Sequence, residues 1–158
     1  MTTNEKMDIL EAVMLNSDLP LLDCPLKHYF IGGMYLRIIY APKGLQAVTM
    51  LHKTNHPFFL MKGKIKVYSD NEGVQELEAP YVNCTQQGTR RYIEILEDVV
   101  FCTVHRTDVV PESGSEEDID KAVDKVMFEI MDLRENDFMG GVLKNNEIID
   151  VKELQHEN

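Results

Sequence analysis

The sequence predicts a mainly β barrel with a helix at each end, and three observations predict it. An apolar stripe of helical period opens the chain. Short β-rich runs then recur between 28 and 107, broken by turn signals roughly every 8–12 residues. A second helical stripe follows Pro111.

In order along the chain, residues 4–15 place Met7, Leu10, Val13 and Met14 on one helical face, with Asn4 as the expected N-cap. Residues 16–27 are a connection punctuated by Pro20 and Pro25. The β runs are Tyr29–Tyr40, Gln46–His52, Phe58–Tyr68, Val74–Leu77, Arg90–Ile95 and Val99–Thr107. Breaks fall at Pro42-Lys-Gly44, Thr54-Asn-His-Pro57, Ser69 to Gly73, Glu78-Ala-Pro80, Gln86-Gln-Gly88 and Glu97-Asp98. Even spacing of this kind is the pattern of a sandwich or small barrel. After the polar linker 112–115, Ser115 is the expected N-cap of a helix over 116–133, with acids in its first turn. Ile119, Val123, Val126, Met127 and Ile130 form its apolar stripe, and Gly140-Gly141 ends the helical region. The tail carries Ile148-Ile149-Asp-Val151. One domain is expected, organised as 1–27 helix and linker, 28–110 barrel, and 111–158 linker, helix and tail.

Composition restricts the function classes. The 158 residues hold 16 Lys+Arg against 27 Asp+Glu, a net charge of −11, with 44% hydrophobic residues. That balance disfavours nucleic acid and anionic membranes as partners, since both need clustered cations. No apolar run is long enough to span a bilayer, and Met1–Asp8 lacks the charged and apolar parts of a secretory signal. Three cysteines without a CxxC pair (Cys24, Cys84, Cys102) are expected as reduced thiols. Cys84 and Cys102, on β runs, are expected to be buried. Phosphate-loop, nucleophile-elbow and His-Glu-x-x-His motifs do not occur.

The central segment carries a resemblance. His52-Lys-Thr-Asn-His56, followed by Phe58-Phe-Leu-Met-Lys-Gly63-Lys-Ile-Lys-Val67, resembles the first motif of a cupin. Ala79-Pro80-Tyr, Gln86-Gln-Gly88-Thr-Arg-Arg91 and Leu96-Glu-Asp-Val-Val-Phe101-Cys-Thr-Val-His105-Arg-Thr107 resemble the second. The combination is similar to small cupin-like proteins encoded by tailed bacteriophages, and it covers residues 28–107. The resemblance implies a double-stranded β-helix or jelly-roll barrel that forms homo-oligomers, placed in the host cytoplasm or the virion.

Metal-binding cupins use His-x-His, a Glu and a third His. Aligned on Gly63, those positions fall here on Met50, His52 and His56, and the third His falls on Arg91, with Gln86 where proline is usual. A guanidinium has no lone pair for a metal, so no cofactor is expected. The alternative is a divalent transition metal on His52 and His56, serving an isomerase or dioxygenase.

If the strands face each other as in a cupin, His52, His56 and Arg91 share one cavity suited to a carboxylate or phosphate. Ordinary roles stand beside this: Arg91 paired with Glu94 or Glu97, and His52 and His56 as core or rim histidines. His105, alternating with Thr103 and Thr107, and His28 at the first strand read as structural; His156 reads as solvated.

The primary functional expectation is a non-enzymatic, phage-encoded oligomeric component of a virion or accessory assembly, with other phage structural proteins as candidate partners. Binding of a small anion or metabolite, and metal-dependent catalysis, are the alternatives. The acids concentrate in 112–124 and beyond 129, whereas Lys53, Lys62, Lys64, Lys66, Arg90 and Arg91 lie in the barrel motifs. A basic barrel face is therefore expected, docking either a small anion or an acidic segment of a neighbouring subunit.

Overall fold

The computed structural model describes residues 2–15, 22, 24–69 and 72–132. Helix α1 (Thr3–Leu15) starts earlier than the sequence predicts, because Thr2 rather than Asn4 caps it. The Thr2 hydroxyl accepts from the Glu5 amide at 3.2 Å, and the Glu5 carboxylate accepts from the Thr2 amide at 2.6 Å, a reciprocal capping box. Met7 is buried against Ala47 and Val48, with Leu10 and Met14 packed beside it. Val13, expected on the same face, is 63% exposed. The inward face is instead completed by Asp8 and Glu11, which both reach one buried arginine, Arg90.

The predicted run Tyr29–Tyr40 is two strands, β1 (Leu26–Ile31) and β2 (Met34–Ala41). Gly32 and Gly33 turn the chain between them at φ 57° and 78°, a conformation costly for other residues. Gln46–His52 divides likewise into β3 (Gln46–Val48) and β4 (Leu51–His52). Strands β5 (His56–Ser69) and β6 (Gly73–Glu78) match the next two runs, and β7 (Tyr81–Thr85) gives bounds to the strand expected around Cys84.

The largest correction is β8 (Tyr92–Arg106), which fuses two predicted runs across Glu97-Asp98. Those acids do not end the strand, because here β5 and β8 bend together, with register shifts between Leu60 and Ile65. Gly63 permits the bend. It has φ 89°, and a Cβ on it would collide with the Asp98 carbonyl oxygen.

Two antiparallel layers result from the bent pair. One half of β8 and β5 carries β2, β1 and β7, and the other carries β3 and β6. The concave interior holds Leu60, Ile65, Val67, Ile95 and Val99, closed by Cys24, Ala41 and Leu45. The fold is thus mainly β with two flanking helices, as the run spacing implies.

Helix α2 (Glu116–Ile130) is capped by Ser115 as predicted, its hydroxyl accepting from the Asp118 amide at 3.2 Å. It ends at Ile130, three residues short of 133, and Met131 turns extended so that β9 (Met131–Asp132) pairs with β4. Val123, Val126, Met127 and Ile130 pack on Tyr35 and Met50, so the stripe serves this chain's own barrel. Gly140-Gly141 and the run Ile148–Val151 lie outside the described residues. No described helix is long and apolar enough to cross a membrane.

The predicted basic barrel face is neutralised by strand register. Lys64 stands between Glu78 and Glu97, and Lys66 between Glu76 and Glu94. Arg90 turns away from the surface and is 1% exposed.

Candidate binding pocket

The loop 86–91 positions the site through its two adjacent arginines, whose side chains alternate as in an extended strand. Arg90 points toward α1. Its Nη1 is 2.6 Å from Asp8 Oδ1, its Nη2 3.0 Å from Glu11 Oε2, and its Nε donates to the Thr49 carbonyl at 2.9 Å. Arg91 points into the barrel. Its amide donates to the Thr49 hydroxyl at 2.9 Å, so one threonine holds both residues.

Inside, the Arg91 guanidinium lies 5.4 Å from the centroid of Phe58. Its Nη1 donates to the Thr85 hydroxyl at 3.0 Å. Its Nη2 is 3.9 Å from Glu72 Oε2, beyond hydrogen-bond distance, and its buried Nε has no acceptor among the described residues. Burial pulls the guanidinium's pKa down and Glu72 partly restores it; the group stays charged. The proposed partners Glu94 and Glu97 are not its partners, since both stand opposite lysines of β5.

Arg91 lines a pocket with Phe58, Phe101, Tyr81 and Ile93 as its apolar walls and Glu72 at its rim. Its volume is about 20 Å³, measured as the space open to a water's centre. Phe58 stacks on Phe101 at 5.2 Å and tilts toward Tyr81 at 6.0 Å, which fixes those walls.

The histidines form a second group outside that lining. His52 and His56 lie 5.1 Å apart, ring centre to ring centre, and His56 lies 4.3 Å from His105. His52 Nδ1 donates to the Thr89 carbonyl at 2.9 Å, and His56 Nδ1 to the Thr54 carbonyl at 3.2 Å, which leaves each Nε2 as the lone-pair nitrogen. His105 bonds the Thr103 hydroxyl at 2.8 Å through Nε2, and its buried Nδ1 has no partner among the described residues. Burial brings His52 down to about 4; the Thr89 hydrogen bond opposes that shift, and the charges of His56, Arg91 and Arg37 add to it. His105 falls to about 2, mainly by burial, and burial also lowers His56. All three are neutral at pH 7. Sequence reasoning read His105 as structural and did not single out Arg37. Their alternation with apolar residues on β8 and β2 is the signal that both point inward.

The first-motif position that cupins give to histidine is Met50, which is buried under α2. Two neutral imidazoles in the right tautomer are metal ligands in principle. Here, however, the described residues contain no group of three His, Cys, Asp or Glu able to hold an ion. The remaining neighbours are guanidinium charges that act on the same rings. This donor set does not fit a divalent cation.

His28 packs structurally, its Nδ1 hydrogen-bonded to the Tyr35 hydroxyl at 2.6 Å. Cys102, on the central strand β8, is buried, whereas Cys84 on β7, also expected to be buried, is only half-buried.

No protein-family model matches the sequence, and no curated protein matches it. Solved structures similar to the chain include the cupin domain of Cnp3 from Schizosaccharomyces pombe, at 19% identity and TM-score 0.46, over 58% of this chain and 66% of that one. Ectoine synthase from P. lautus is similar at 8% identity and TM-score 0.47, over 55% and 66%. An RmlC-like cupin family protein with a double-stranded β-helix fold from Methanocaldococcus jannaschii is similar at 10% identity and TM-score 0.47, over 58% and 85%. The chain thus spans just under two thirds of the first two.

Proposed function

We propose that this chain is a non-enzymatic, cupin-like binder of a small anion, with Arg91 as the recognition group. The observation that carries the reading is a buried guanidinium with one donor unsatisfied and its nearest carboxylate at 3.9 Å. A buried charge without a close partner is costly, and an incoming anion removes that cost. Arg91 supplies a planar fork, while neutral His52 and His56 lie behind it and add no competing charge. The test is a thermal-shift and calorimetric screen with monocarboxylates, dicarboxylates, sugar phosphates and nucleotides. Wild type gains stability with at least one of them, and Arg91→Ala loses that gain. An Arg91→Ala protein that binds every tested anion as well as wild type removes the proposal.

A second reading, self-association as a structural component, is favoured by the outer sheet face. Ile38, Cys102, Phe59 and Val82 form one cross-strand row over four strands, with Tyr29, Met34 and Met61 exposed around it. An uncharged row of this kind suits a second copy of itself. With the phage resemblance, it supports an oligomeric virion or accessory component acting in the host cytoplasm or the particle. The solution mass decides: wild type runs as a multimer and Val82→Asp as a monomer, and a monomeric wild type ends this reading.

A further inference from the structure

The geometry of Arg91 points to a short apolar monocarboxylate as the occupant of the pocket, its head on the Nε–Nη2 edge in place of Glu72 and its chain along Phe58, Phe101 and Ile93. This inference rests on the small-anion reading and narrows it.

The guanidinium offers its donors unevenly. Nη1 is committed to the Thr85 hydroxyl at 3.0 Å, whereas Nε has no acceptor and Nη2 has only the distant Glu72 oxygen at 3.9 Å. Nε–H and Nη2–H lie side by side in the plane of the group and match the two oxygens of one carboxylate. Arg91 itself is 8% exposed, so this edge faces the interior, where a charge-assisted pair is strong.

Charge sets the valence. Arg91 is the cation among the lining residues, and Glu72 brings an acid to the same wall. A dicarboxylate or phosphate would bring a second negative charge against mostly aromatic and aliphatic walls, with no second cation to receive it. The remaining polar lining groups, the Tyr81 hydroxyl, the Asn83 amide and the exposed Gln75, are all neutral. A volume of about 20 Å³ holds roughly one or two water-sized groups, which suits a single carboxylate head and not a larger anion.

Glu72 is the competitor. It stands in the β5–β6 turn with a side chain 43% exposed, and its own amide donates to the Ser69 hydroxyl at 3.3 Å. Turning that carboxylate to solvent gives up a long 3.5 Å hydrogen bond from the Ser69 hydroxyl, keeps the Glu72 amide bond, and frees the Arg91 edge.

The test titrates the full chain with butyrate, succinate and inorganic phosphate at constant ionic strength, reading dissociation constants by calorimetry and the Arg91 Nε–H resonance by ¹⁵N NMR. Butyrate is expected to bind at least tenfold more tightly than the other two and to shift that resonance. Glu72→Gln tightens butyrate binding several-fold by removing the competitor, and Arg91→Lys, which keeps the charge but not the fork, weakens it at least tenfold. Phosphate or succinate binding through Arg91 as tightly as butyrate overturns this inference and leaves the anion reading standing. Binding of none of the three overturns the inference, and the reading beneath it falls if the wider screen is also empty. Butyrate affinity unchanged in Glu72→Gln overturns the displacement.

Discussion

Acidification from pH 7 to pH 5 is expected to destabilise this fold by about 4 kcal/mol through two histidines. His52 titrates near 4 and His105 near 2 in the folded protein, against 6.5 when freely solvated. A folded-state pKa depressed in this way means the unfolded chain takes up the proton first. Stability from these groups is therefore complete above about pH 6.5 and falls as pH drops through 6.5 toward the folded values. At pH 5 the unfolded histidines are about 1.5 pH units into protonation while the folded ones are still neutral. At about 1.4 kcal/mol per unit, that is about 2 kcal/mol each. His56, lowered by the same burial, adds in the same direction. The groups acting on these rings are one another and the guanidiniums of Arg37 and Arg91, and those charges oppose protonation. Urea unfolding at pH 7, 6 and 5 measures the slope, with His52→Gln/His105→Gln as the comparison. Carboxylates contribute to both proteins, so the difference between the two slopes isolates the histidines. Equal slopes would refute the reasoning.

Three further outcomes are expected. Gly63→Ala destabilises by about 3 kcal/mol or more in chemical unfolding, because a Cβ there meets the Asp98 carbonyl and the backbone is left-handed. Arg90→Met costs about 3 kcal/mol by leaving Asp8 and Glu11 facing a buried surface, and amide exchange in 3–15 accelerates before exchange in β5 and β8. Metal analysis of untagged protein gives below about a tenth of an equivalent of transition metal, since the guanidinium charges acting on the three clustered imidazoles oppose a cation.

The sequence disclosed those features that local chemistry decides. Ser115 caps its helix because a hydroxyl before three acids does so in almost any context. The inward stripe of α2 follows from helical periodicity alone. Features decided by distant strands were hidden. Glu97-Asp98 reads as a turn until Gly63, more than thirty positions earlier, is seen packed against the Asp98 carbonyl. Val13 belongs to the stripe by spacing, yet Arg90 draws Asp8 and Glu11 inward instead. At the site, Arg91 was readable as an inward cation. That it lies in a pocket apart from His52 and His56, with Glu72 as its nearest acid, depends on how the barrel closes, which brings the readable Ser69–Gly73 turn beside Arg91.

Arg90 and Arg91 hold opposite faces of one extended stretch, and Thr49 anchors both, its carbonyl taking Arg90 Nε and its hydroxyl the Arg91 amide. Two tasks, clasping a helix and charging a pocket, are thereby written in consecutive letters that differ only in parity. Deleting a single residue between Gly88 and Arg90 would leave the dipeptide intact yet send each guanidinium to the wrong side of the wall. The length of that loop is thereby as constrained as the identity of its two arginines.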